Sequence, residues 1–116
     1  MSLRISSALG LLGLLAACGS QSPPPPGDEV ECAIGSGADF SSVCTLEKVA
    51  GTLDIVLHHP DGGFRRLTRD AASGTLIPLD GAEPLVSEAG PQGALQFAVG
   101  ADRYRIPQTL LEPHPQ

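Results

Sequence analysis

Between Asp28 and Ile106 the hydrophobic and polar residues alternate in short segments. The segments recur about every 8 to 12 residues with Gly, Pro and Asp between them, and none sustains a helical period. This pattern predicts an antiparallel meander. Val30, Cys32 and Ile34 alternate with Glu31 and Ala33, and a second strand is predicted from Val43 to Val49. The best-defined unit runs from Leu53 to Arg69 and turns at His59-Pro60-Asp61-Gly62. Pro pre-sets φ there, and Gly62 can take the left-handed conformation of a bulged type I turn. Pairing His59 with Gly63 places Ile55 opposite Leu67, Asp54 opposite Thr68, Val56 opposite Arg66 and His58 opposite Phe64. Leu53, Ile55, Leu57 and Leu67 then share one face. A slip of one residue would mix the faces, so the hydrophobic pattern selects this register.

Two more hairpins follow. One is predicted around Asp80-Gly81, between Leu76 to Leu79 and Leu85 to Ser87. Pro78 and Pro84 exclude a central place for these strands and assign them to an edge or a rim. In the other, Leu95, Phe97 and Val99 alternate with Gln96 and Ala98 before the chain returns through Arg103 to Ile106. A two-residue loop at Ala101-Asp102 would set Val99 opposite Tyr104 and Phe97 opposite Ile106. The fold class is therefore all-β, with seven or eight short antiparallel strands closed as a small barrel or packed as a two-sheet sandwich.

The N-terminus has a different pattern. Met1-Ser2-Leu3-Arg4 carries one positive charge, and Ile5 to Leu14 is an apolar run too short to span a bilayer but suited to a signal peptide. Leu15-Ala16-Ala17-Cys18 follows, and it resembles the lipobox of bacterial lipoproteins. That resemblance implies cleavage after Ala17 and acylation of Cys18, whose thiol takes a diacylglyceryl group and whose new amino group can take a further chain such as palmitate. Two or more chains make the attachment effectively stable, at about 0.8 kcal/mol per buried CH₂. Gly19, where an Asp would imply retention in the inner membrane, points to the outer membrane and its periplasmic face.

Residues 1–17 are thus read as signal peptide and 18–27 as the lipidated Cys with a Pro-rich tether. The four prolines Pro23 to Pro26 favour an extended path. Residues 28–106 form the β-domain, and 107–116, with three prolines, are expected to be a disordered tail.

Composition narrows the options further. With 116 residues, 41% hydrophobic and 17% charged, the chain holds one small domain. Without Arg4, six Lys and Arg face thirteen Asp and Glu, a net charge of −7 that disfavours nucleic acid as a partner. Lipidation of Cys18 leaves Cys32 and Cys44, for which a disulfide is the default in an oxidising compartment. Closing a loop of this length is worth about 3 kcal/mol in the chain-entropy model. The alternatives are free thiols, or a metal site joining both thiolates to His58 and His59. No zinc-ligand spacing is present, and adjacent strand residues such as these histidines point to opposite faces.

No catalytic residues and no cofactor are assigned. No serine or cysteine sits in a nucleophile context, and His59 reads as a turn residue ahead of Pro60. Arg65, Arg66, Arg69, Arg103 and Arg105 are the candidate contacts for an anionic partner, since guanidinium suits bidentate binding of carboxylate or phosphate. Asp54, Asp70 and Asp102 are acidic neighbours able to neutralise them.

The residues Val30-Glu31-Cys32-Ala33, Cys44, His59-Pro60-Asp61-Gly62-Gly63-Phe64-Arg65-Arg66 and Asp102-Arg103-Tyr104-Arg105-Ile106-Pro107 together resemble small lipoproteins of alphaproteobacteria, sphingomonad-like ones in particular. Cys32, Gly35 and Phe40 are also similar to the first strand, turn and aromatic of membrane-bound inhibitors of C-type lysozyme, which are lipid-anchored β-barrels. That family's inhibitory Ser-Gly loop and Trp-containing strand have no match, since Ser73-Gly74 is followed by Thr75-Leu76 and the chain lacks Trp. The expectation is a non-catalytic, lipid-anchored envelope protein that binds or scaffolds another envelope protein or glycan. Inhibition of lysozyme or another cell-wall hydrolase is the alternative.

Overall fold

A computed structural model of the chain describes residues 25–79 and 83–112. The signal peptide, Cys18 and most of the tether lie outside the described residues. Eight strands are present: β1 (Asp28–Ala33), β2 (Ser41–Lys48), β3 (Asp54–His58), β4 (Phe64–Arg69), β5 (Leu76–Pro78), β6 (Leu85–Glu88), β7 (Ala94–Val99) and β8 (Asp102–Pro107). A 3-10 turn, Gln108–Leu110, follows β8. The strands form one antiparallel sheet in the order β5-β4-β3-β2-β1-β8-β7-β6. Because β8 returns against β1, the sheet curls round until β5 and β6 face each other, and the domain is a nearly closed barrel. Among the described residues no helix is long and apolar enough to cross a membrane.

The predicted alternation builds the interior. Val30, Cys32, Cys44, Leu46, Ile55, Leu57, Leu67, Phe97, Val99, Tyr104 and Ile106 pack together inside it. Fully burying a Leu, Val, Ile or Phe side chain stabilises by about 1.5–3 kcal/mol. The barrel is thus filled by side chains. Cys32 and Cys44 are joined by a disulfide with a Cα–Cα distance of 6.0 Å. The β1–β2 ladder shifts register between Val30, opposite Cys44, and Cys32, opposite Ser41. Such a bulge increases the local twist where the bridge closes the hairpin.

The β3–β4 hairpin has the predicted register: Asp54 pairs with Thr68, Ile55 with Leu67, Val56 with Arg66 and His58 with Phe64. His59 N–H donates to the Gly63 carbonyl at 2.8 Å, and Gly62 has a φ of 93°. Leu53 departs from its predicted inward face. It precedes β3 in the β2–β3 connection and is about half exposed.

The β7–β8 hairpin has a different register from the expected one. Val99 pairs with Asp102 and Phe97 with Tyr104, so the loop is Gly100-Ala101. Gly100 has a φ of 61°, which suits the first central position of a tight hairpin turn. The discrepancy shifts each partner by two residues, which preserves the side-chain period. Phe97, Val99, Tyr104 and Ile106 therefore still face inward, and alternation alone could not distinguish the two registers.

The predicted pairing of β5 with β6 is not formed either. β5 pairs only with β4 and β6 only with β7, and the Asp80-Gly81 turn lies outside the described residues. Leu79 N–H donates to the Arg66 carbonyl, and Ile77 lies opposite Thr68, so the alternate backbone groups of Leu76 and Pro78 face the gap. Pro78 has no N–H to offer there. The edge positions expected from the two prolines hold.

The chain stays ordered past Ile106, against the expectation of a disordered tail from residue 107. Pro107 ends β8, Leu110 packs against the core and Leu111 is buried. Arg69 Nη1 donates to the Leu111 carbonyl, and Lys48 Nζ donates to the Glu112 carbonyl at 3.3 Å. Open apolar side chains at this end of the barrel need a cover, and Leu111 supplies it. The final four residues, 113–116, lie outside the described residues.

Candidate functional site

Strand direction gives the barrel two unlike rims. The lower rim carries the β2–β3, β4–β5 and β6–β7 connections, the start of β1 and the segment after β8. Lys48, Leu53, Arg69, Leu111 and their neighbours line a cleft of about 520 Å³ there. The upper rim carries the β1–β2, β3–β4, β5–β6 and β7–β8 connections. Here His59, Tyr104, Arg65 and Asp102 meet in a chain of hydrogen bonds.

Tyr104 is the centre of that chain. Facing inward from β8, it is fully buried, with its ring 5.4 Å from Phe97 and 5.8 Å from the His59 ring. Its hydroxyl lies 2.7 Å from His59 Nε2 and accepts from Arg65 Nε at 3.1 Å. Arg65 Nη2 donates to Asp102 Oδ2 at 3.0 Å, and Asp102 Oδ1 accepts the Gly35 N–H at 2.9 Å. Glu83 lies 3.8 Å from Arg65 Nη2. The placement follows from the ladders, because Arg65 shares the inward face of β4 with Leu67, and Asp102 shares that of β8 with Tyr104. His59 follows β3 by one residue and faces opposite to His58. His58 instead sits on the outer face, with Nε2 2.9 Å from Glu47 Oε1.

The electrostatics follow from burial. Desolvation holds the His59 pKa below its ordinary value; Asp102 and Asp61 oppose this, while Arg65 and His58 add to it. Burial also pushes the Tyr104 hydroxyl up to about 12, against the pull of Arg65. For Arg65, burial alone would lower the pKa, but the Asp102 hydrogen bond and Tyr104 outweigh it and the value is raised. Near neutral pH the cluster therefore combines a neutral imidazole, a neutral phenol and a guanidinium–carboxylate pair. Each polar group is engaged with another.

The candidate arginines do not form one surface. Arg65 belongs to the upper cluster, Arg69 to the lower rim, and Arg66 to the exposed outer face of β4. Arg103 and Arg105 lie on the outer face of β8, where Arg103 Nε donates to Glu88, and Arg105 donates to Gln96 and Glu31. Both guanidiniums lie over the Phe40 ring, at 4.9 and 4.0 Å. Glu88 is held below its ordinary pKa by hydrogen bonds from Gln96 and then Arg103. Of the acids singled out in the sequence, Asp102 neutralises Arg65, whereas the Asp70 carboxylate is held by Ser73. Cys18 is outside the described residues.

The sequence reading missed the His59–Tyr104–Arg65–Asp102 chain. One signal was available: Tyr104 is the only tyrosine, and a buried phenol needs a partner. Among the described residues no group of three or more His, Cys, Asp or Glu is placed to hold a metal ion. Compared with models of protein families, with curated proteins and with solved structures, the chain matches none.

Proposed function

We propose that the protein is a non-catalytic, lipid-anchored component of the bacterial cell envelope, held by acylated Cys18 at the periplasmic face of the outer membrane. There it binds or scaffolds another envelope component. The observation that carries this reading is the order of the N-terminal sequence: one positive charge, an apolar run, Leu15-Ala16-Ala17-Cys18, then a Pro-rich spacer. The Cys32–Cys44 bridge supports it, because such bonds persist in oxidising compartments. The mutual pairing of His59, Tyr104, Arg65 and Asp102 supports a structural use for the most reactive-looking residues. Since the spacer joins at the start of β1, the lower rim faces the bilayer and the upper rim is presented to partners.

The test is Cys18→Ala expressed in the native host and labelled with a palmitate analogue. Loss of label together with accumulation of uncleaved precursor is expected. Normal labelling and membrane retention of the variant would remove the anchor and the proposal with it.

A further inference from the structure

The β1–β2, β3–β4 and β7–β8 connections of the upper rim end on the same hydrogen-bonded chain, and Glu83 stands near it as an ion-pair partner of Arg65. His59 belongs to the β3–β4 turn, and Asp102 closes the β7–β8 turn. Gly35, in the β1–β2 connection, is held through its N–H by Asp102, and Glu83, in the β5–β6 connection, reaches Arg65 and lies against Gly100. Tyr104 lies beneath them.

Counting protons fixes how this chain is wired. Arg65 can only donate, so the Tyr104 hydroxyl accepts from Nε and has one hydrogen left to give. Among the described residues its other hydrogen-bond partner is His59 Nε2, and the phenolic hydrogen is used within the chain when that nitrogen is the unprotonated acceptor. The tautomer is assigned from this wiring. A proton added to His59 Nε2 turns the acceptor into a donor. The phenolic hydrogen is then stranded, and a second cation stands near Arg65 in a largely buried place. The charged and titratable groups acting on His59 are Tyr104 and Asp102 from β8, Arg65 from β4, Asp61 from the turn and, from the opposite face of the chain, His58. The two carboxylates attract the added proton, but Asp102 is already engaged by Arg65 and Gly35, and Asp61 by the Gly63 N–H.

We infer that the upper rim is an acid-released latch: neutral His59 holds the β1–β2, β3–β4 and β7–β8 connections together over Tyr104, and protonation of His59 frees them and opens that part of the barrel mouth. This does not depend on the anchor or on the identity of any partner. It gives the rim presented to partners two states set by pH.

The experiment is site-resolved amide hydrogen exchange on the mature protein from about pH 7.5 to about pH 4.5, corrected for the intrinsic rate, a range that spans the ordinary imidazole pKa. Protection of the Gly35 amide is expected to fall about tenfold or more, while the central amides of the β1–β2 and β2–β3 ladders keep theirs. His59→Gln, which cannot titrate, should remove the pH dependence, and Tyr104→Phe should leave Gly35 poorly protected at both ends of the range. Constant Gly35 protection in the wild type, an equal loss in the ladders, or the same loss in His59→Gln would overturn the latch. Should His59→Gln fail to fold, NMR titration of the wild type decides: the His59 ring and Gly35 amide must share one midpoint, and separate midpoints refute it.

Discussion

A single hydroxyl at Tyr104 serves both His59 and Arg65, so Tyr104→Phe keeps the ring packing and removes the hydrogen bonds. Leaving buried partners unsatisfied costs about 1–3 kcal/mol, and a urea or thermal melt of the variant should show a loss in that range. The neighbouring histidines should behave differently. His58→Ala loses an outer-face contact with Glu47 and is expected to stay within about 0.5 kcal/mol of the wild type. For His59 the folded pKa is lowered, so its contribution is intact above the ordinary value of 6.5. It shrinks as pH falls below 6.5 and is lost once pH is below the folded value. The stability difference between wild type and His59→Gln, followed by denaturant melts against pH, should narrow in that direction. Glycine matters where φ is positive. A Cβ at Gly62 meets no neighbour, so the predicted cost of more than about 1 kcal/mol for Gly62→Val is assigned to backbone strain, and full tolerance would refute the turn.

At the level of strands and turns, two clasps reinforce the barrel, the disulfide between the central strands β1 and β2 and Leu111 over the lower end of the core. Reduction of Cys32–Cys44 is predicted to cost about 3 kcal/mol by the chain-entropy account. Alkylation with and without reductant, followed by melts, measures it; thiols already reactive in the native protein would contradict the bridge. Leu111→Ala should cost about 2 kcal/mol or more, because it uncovers the lower end of the core. A stability change near zero would show that the segment after β8 is not part of the domain. The hairpins also show how far alternation reaches. In β3–β4, Pro60, Asp61 and Gly62 fix the loop as well as the faces, and every pair was legible. In β7–β8 only the faces were legible, because both registers bury Phe97, Val99, Tyr104 and Ile106.

Across the whole molecule, the two rims differ in chemistry and in their distance from Gly27, where the chain enters β1. Gly27, which leads into β1, lies so close to the Leu46 carbonyl that a Cβ there would clash with backbone, and this pins the end of the tether to the lower rim. If Cys18 is acylated as proposed, a fluorophore at Thr52 of the vesicle-bound protein should be quenched by lipid-borne quenchers more strongly than one at Asp61. Equal quenching would show that the barrel has no fixed orientation.

The chain by itself determined whatever depends on local chemistry. The two-residue period produced strands, Pro60 to Gly62 produced one turn, Pro78 and Pro84 marked the edges, and two cysteines in the β-domain pointed to one bridge. Choosing a barrel over a sandwich required β8 to return to β1, a pairing of distant segments that no local pattern encodes. The His59–Tyr104–Arg65–Asp102 chain has the same origin. Its members lie 37 to 45 residues apart across the main contacts, and only closure of the sheet brings them together. Leu111 followed the same rule: it reads as part of a Pro-rich tail until the open end of the barrel supplies the surface that buries it.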